Sequence, residues 1–192
     1  MFGGDIIMKL IDIVELSNNK FLNLYKLKLI NRRGVPKDYF LASRRKRDKL
    51  SCVTKNHNIC DGVMIVPVTE DNEIVMLKQY RPAISDYLYE LPAGMVDSGE
   101  TIEEAARREL FEETGLRAKS YEVLLKPSYT SVGISDETTA VVKMVVEGEI
   151  TNENEEDDED IEVFKLKIKD AKEFVKNNNV SIKGALVLMN LE

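Results

Sequence analysis

A chain of 192 residues that is 43% hydrophobic can bury a sizeable core, as one domain or as one domain with a small accessory unit. Its 27 basic residues stand against 34 acidic ones, a net charge of -7. That balance argues against a general nucleic-acid binder, which needs excess cations to neutralise phosphates, and against adhesion to an anionic membrane.

Met1 to Asp5 carry no basic segment ahead of an apolar run, so no secretory signal is expected. Residues 1–57 read as a small antiparallel β unit. Tyr25, Lys26, Leu27, Lys28 and Leu29 alternate apolar and cationic side chains with the period of a half-buried strand. Gly34, Val35 and Pro36 signal a turn, and Tyr39, Phe40, Leu41 and Ala42 the returning strand. The Tyr25/Leu27/Leu29 face is too small to form a core of its own, so it is expected to pack on something else. From Asn31 to Lys49 eight basic residues (Arg32, Arg33, Lys37, Arg44, Arg45, Lys46, Arg47, Lys49) outnumber Asp38 and Asp48, a local +6. The cluster from Arg44 to Lys49 is either a solvated edge that discourages strand-to-strand association or a receptor for an anion. Cys52 and Cys60 are too few for a disulfide framework and are expected to be free thiols in a reducing cytosol. His57 is the single histidine, which excludes most schemes built on His ligands or a His base. Carboxylates are left for acid–base and metal chemistry.

The texture changes at Asp61. Gly62 to Val68 is a continuous apolar run, consistent with a strand buried on both faces. Asp71 and Asn72 mark a turn, and Glu73 to Tyr80 reads as a second strand. Further strands are expected at Glu122 to Leu125, Thr138 to Val146 and Ile161 to Leu166. Eight acidic residues and no basic one lie between Asn152 and Glu162, a stretch expected to loop over 152–160. Helices are expected at 101–114, at 169–177 and from Ser181 to Leu191, the last capped by Ser181. No stretch approaches the roughly 18 apolar residues of a membrane span.

The helix at 101–114 carries the chemistry. Thr101 and Glu104 make a capping box, and Gly115 suits a left-handed C-terminal cap. Ile102, Ala105, Ala106 and Leu110 form its core stripe. At about 100° per residue, Glu112 lies about 60° to one side of Glu109 and Glu113 about 40° to the other. Like-charged pairs at this spacing destabilise a helix by roughly 0.2–0.5 kcal/mol each, and Glu112 and Glu113 also sit at the negative end of the dipole. An acidic face of this kind often serves only solubility. A hard divalent cation, however, turns the same carboxylates into a binding site, and Mg²⁺ commonly bridges carboxylates to phosphates.

The stretch Gly94, five residues, Glu100, seven residues, Arg108-Glu109-Leu110, one residue, Glu112-Glu113, one residue, Gly115-Leu116 resembles the Nudix box without exception, over 23 of the 192 residues. The resemblance implies an α/β fold: an α/β/α sandwich with a mixed sheet, here spanning residues 58–192 behind the N-terminal β unit. It implies hydrolysis of a nucleoside diphosphate linked to another group, with Mg²⁺ or Mn²⁺. Carried over by motif position, Glu109 and Glu113 are metal ligands and Glu112 supports or joins them. Glu100 assists metal binding or pairs with Arg108, and Arg108 orients the glutamates. Gly94 and Gly115 are structural.

Upstream, Gln79-Tyr80-Arg81 followed by Glu90-Leu91-Pro92-Ala93-Gly94 is similar to the ADP-ribose and nucleotide-sugar pyrophosphatase branch. The likeness implies that Arg81 contacts a substrate phosphate, that Glu90 holds substrate or a dimer edge, and that the Ala93 carbonyl ligates metal. An ordinary surface ion pair is the competing role for Arg81. Downstream, the loop Tyr129 to Glu137 matches one that carries a general base or a second metal ligand. Glu137 is the matching position and Asp136 the reserve. Val132 stands where the branch typically has proline, which leaves the substrate open. The branch also implies that residues 1–57 mediate a homodimer and contact substrate, with Arg44, Arg45 and Arg47 as candidates to reach phosphate across the interface. ADP-ribose cleaved to AMP and ribose 5-phosphate is the expected reaction. Another nucleoside diphosphate sugar is one alternative. A non-catalytic ligand sensor is another, which a damaged box would signal; every acidic position of the box is intact.

Overall fold

Period-two alternation and one bulge build the N-terminal sheet. Lys9–Glu15 (β1), Asn23–Ile30 (β2) and Pro36–Ser43 (β3) pair antiparallel in that order. This computed structural model describes residues 8–151 and 160–191. They fall into two compact units: the chain up to Ile59 with Ser128–Thr138, and Cys60–Pro127 with the chain from Thr139 onward.

In the first unit, register sets Tyr25 opposite Leu41 and Leu27 opposite Tyr39. Contrary to the sequence expectation, this face has a small core of its own. Ile13 from β1 and Leu50, just after a 3₁₀ turn at Arg47–Lys49, join Tyr25, Leu27 and Leu41 in a buried cluster. β1 escapes detection because its pairing shifts register between Leu10 and Asp12, which breaks the alternation. A short helix, Ser51–Thr54 (α1), follows Leu50. The basic cluster also departs from expectation, being neither a solvated edge throughout nor a set of free cations. Arg45 is buried, and its carbonyl accepts the Tyr25 hydroxyl at 2.9 Å.

The second unit contains Gly62–Val68 (β4), Glu73–Arg81 (β5), Asp86–Glu90 (β6), Ala93–Met95 (β7), Ile102–Thr114 (α2) and Arg117–Ala118 (β8). Glu122–Tyr129 (β9) and Thr138–Glu147 (β10), whose residues Ser128, Tyr129 and Thr138 fall in the first unit, then Ile161–Lys167 (β11), Ala171–Asn177 (α3) and Ile182–Asn190 (α4) complete the elements. The sheet runs β11-β5-β4-β10-β8, with β6 on β5, β7 on β4 and β9 on β10. It is mixed: β4 pairs parallel with β10, while β4–β5 and β5–β11 are antiparallel. Every residue of β4 is buried. Successive side chains leave opposite faces of a strand, so Val63 and Ile65 enter one core while Met64, Val66 and Val68 enter the other. The helix α2 covers the first core with Ala105, Ala106 and Leu110. The second is closed by Ala171 of α3 and Leu188 of α4. The result is an α/β/α sandwich, with Ser181 capping α4 through the Gly184 N–H.

The expected acidic loop at 152–160 lies outside the described residues except for Asp160, which accepts a hydrogen bond from the Tyr87 hydroxyl at 2.7 Å. Among the described residues no helix is long and apolar enough to cross a membrane.

Candidate active site

The site of the second unit is built by β7 and the helix after it. Thr101 caps α2: its hydroxyl accepts the Glu104 N–H at 3.2 Å, and the Glu104 carboxylate accepts the Thr101 N–H at 2.8 Å. Gly115 ends the helix in the left-handed region, with φ of 75°. Ile102, Ala105, Ala106 and Leu110 pack inward, and Glu109 and Glu113 follow them at i+3 and i+4 spacing on the same buried side of the helix, with Glu112 at its margin. The cap is testable by itself. Thr101→Ala should lower stability to urea unfolding by about 1 kcal/mol, because the Glu104 N–H at the helix start loses its hydroxyl acceptor.

Arg108 is the hub. Its Nε and Nη2 donate to the two oxygens of Glu100 at 3.0 Å each, a bidentate fork. Its Nη1 donates to Glu109 at 2.8 Å and to Glu112 at 3.0 Å. Nη2 also reaches the carbonyl of Met95 at 2.9 Å. One guanidinium therefore gathers three carboxylates and ties the helix to β7. No side-chain signal could have indicated the Met95 contact, since it uses the backbone.

Burial grades the glutamates. Glu113 is 4% exposed and accepts the Ala93 N–H at 3.0 Å. The Glu109 side chain is 14% exposed and that of Glu112 36%. Gly94 is required by the same arrangement, because a Cβ at this position would overlap the Glu109 carboxylate. Burial pushes the Glu109 carboxyl above its ordinary range, against the pull of the Arg108 guanidinium. The bidentate bond from Arg108, helped by the Asp97 N–H, holds Glu100 below that range. Arg108 itself is raised, chiefly by its bonds to Glu100.

These residues fit a hard cation by donor chemistry: the ligand atoms are carboxylate oxygens, and burial leaves Glu109 short of stabilisation for its charge. Among the described residues no three acidic, histidine or cysteine side chains converge on one point. Glu109 and Glu112 are instead turned onto Arg108.

Arg81 and Glu90, on β5 and β6, are joined by an ion pair of 2.5 Å, with Arg81 43% exposed. The remaining candidates lie in the first unit. Glu137 accepts from Arg44 Nε at 3.2 Å. Asp136 is buried; it accepts the Ser51 N–H at 2.9 Å and pairs with Arg45 at 3.5 Å, so the reserve position for the base is taken up by structure. Arg45 is likewise committed there and is not available to reach phosphate. Arg47 donates to the Ile13 carbonyl at 3.1 Å and pairs with Asp12 at 3.5 Å.

The NUDIX domain profile matches residues 59–183. An ADP-ribose pyrophosphatase of Bacillus subtilis (strain 168) is 37% identical over 121 residues, which is 62% of this chain and 64% of that protein. An ADP-ribose pyrophosphatase of Saccharomyces cerevisiae is 30% identical over 165 residues, 81% of this chain and 68% of that protein. An ADP-sugar pyrophosphatase of Mus musculus is 34% identical over 113 residues, 55% of this chain and 50% of its own length. The chain thus spans between half and about two thirds of these relatives. The crystal structure of an ADP compounds hydrolase superposes with a TM-score of 0.75 at 20% identity, covering 95% of this chain and 91% of that one. The fold is thereby the same, and the profile match over most of the chain, together with the intact box, makes this chain a member of the Nudix family.

Proposed function

We propose that this chain hydrolyses the pyrophosphate of ADP-ribose, taking up one water and releasing AMP and ribose 5-phosphate. The observation that carries the proposal is the intact box, with Glu109 and Glu112 gathered on Arg108 and Glu113 beside them on the same helix face. The names of the Bacillus and Saccharomyces relatives support the substrate. Glu109, Glu112 and Glu113, with the Ala93 carbonyl, would hold a divalent cation, Mg²⁺ or Mn²⁺. When bound, such an ion neutralises charge on the phosphates and makes water more acidic. Arg108 keeps the glutamates aligned, and Glu100 keeps Arg108 in place. Arg81 supplies a fork suited to a phosphate once it leaves Glu90. Glu137 takes the proton of the attacking water. The N-terminal unit serves as the contact of a cytosolic homodimer. Among related substrates, a different nucleoside diphosphate sugar is favoured by one observation, Val132 in place of the branch's proline.

A panel of nucleotide sugars, dinucleotides and nucleoside triphosphates, assayed with Mg²⁺ for release of AMP or phosphate, tests the proposal. ADP-ribose should be cleaved fastest, and chelation by EDTA should abolish turnover until Mg²⁺ or Mn²⁺ is restored. Tight ADP-ribose binding without hydrolysis of any compound would overturn the proposal in favour of a sensor.

A further inference from the structure

The loop that carries Glu137 is part of the N-terminal unit, and backbone register decides which residue stands beside it. Ser128–Thr138 clusters with the chain up to Ile59. Ala42 forms a parallel bridge with Ser135, and its N–H donates to the Ile134 carbonyl at 2.8 Å. Two residues further along each segment stand Arg44 and Glu137, joined at 3.2 Å. The frame around this pair is fixed. Tyr39 donates its hydroxyl to the Gly133 carbonyl, and the Thr138 hydroxyl donates to the Ile59 carbonyl at 2.6 Å. Asp136, between the bridge and Glu137, is buried with Arg45 and Ser51. Only Glu137 among these loop carboxylates is left accessible, its side chain 32% exposed. The same carboxylate also lies within 3.4 Å of the Thr130 hydroxyl, so it is gripped from two sides.

We infer that Arg44 is a positioning residue for Glu137: it fixes the rotamer of that carboxylate and so aims the group that accepts the proton. The inference rests on Glu137 being the base. It departs from a role for Arg44 in gripping phosphate, because the side chain is already engaged by the carboxylate. It also gives the basic cluster divided roles, with Arg45 anchoring the loop and Arg44 directing its working group.

A double-mutant cycle tests it, reading kcat and KM for ADP-ribose with the full-length chain and Mg²⁺. Glu137→Gln should lower kcat by about 100-fold or more, as loss of a general base does. Arg44→Gln should lower kcat by about tenfold, a misplacement effect, with KM within about twofold. Arg44→Lys should recover most of that loss. In the Glu137→Gln background, Arg44→Gln should cost nothing further, because its effect passes through the missing carboxylate. A rise in KM at unchanged kcat, an additive loss in the double variant, or an Arg44→Gln enzyme as fast as or faster than the parent would each overturn the inference while leaving the base assignment standing. A fully active Glu137→Gln would instead remove the base assignment, and the role of Arg44 with it.

Discussion

Glu113→Gln should lower turnover by about three orders of magnitude or more while the protein unfolds at nearly its original temperature. The side chain is almost fully buried and accepts the Ala93 N–H at 3.0 Å. A glutamine has the same shape, and its amide oxygen can still accept that hydrogen bond. What is lost is the negative charge. Folding does not need it, since burying an anion opposes folding rather than favouring it. Holding a divalent cation against a pyrophosphate does need it. Three orders of magnitude correspond to about 4 kcal/mol of transition-state stabilisation, within what a metal centre supplies. Glu112→Gln should lose less, because Glu112 is more exposed and keeps Arg108 as its principal partner. AMP release at saturating ADP-ribose, alongside thermal unfolding without added metal, checks both variants. If Glu113→Gln retained ordinary turnover, the proposed metal site would be wrong.

How far the sequence discloses this molecule depends on whether a pattern is local. The run Gly62 to Val68 discloses a strand covered on both faces, because residues that enter two cores must all be apolar. Helix α2 is disclosed in the same way: its cap, stripe and C-terminal glycine are all within 15 residues, and the structure has each of them. β1 is hidden by its bulge, while β6 and β7 are too short, at five and three residues, for periodicity to register. At the site, spacing alone places Glu109, Glu112 and Glu113 on one face. It does not disclose that Arg108 ties that face to Met95, since a backbone acceptor carries no residue signature. The largest gap concerns charge. Arg44 and Arg45 look alike in a basic run, yet one is half-exposed beside Glu137 and the other is buried with Asp136. Their partners lie more than 90 positions away in the chain, so composition suggests a solvated patch where tertiary structure makes two ion pairs of different kinds.

Gly94→Ala is expected to spare the fold and impair the chemistry. Gly94 lies in β7 opposite Val63, in an ordinary strand conformation that alanine also adopts. The glycine is therefore needed for space rather than for backbone freedom. An added Cβ would overlap the carboxyl carbon and both oxygens of Glu109. Those atoms are the far end of a flexible side chain, so Glu109 can swing aside. Overpacking of this kind costs roughly 1–3 kcal/mol in a rigid core, and a movable neighbour places the change at the lower end. Glu109 then loses its place beside Arg108, where it now accepts at 2.8 Å, and the carboxylate face of the helix is broken. A displacement of about 1 Å in a reacting constellation lowers rates by about 100-fold. Gly94→Ala should therefore retain most of its stability to urea, lose about two orders of magnitude in kcat, and require more Mg²⁺ for half-maximal activity. Unfolding would mean that β7 has less room than the Glu109 rotamer suggests. Normal kcat at normal Mg²⁺ would mean that Glu109 does its work from a position this glycine does not guard.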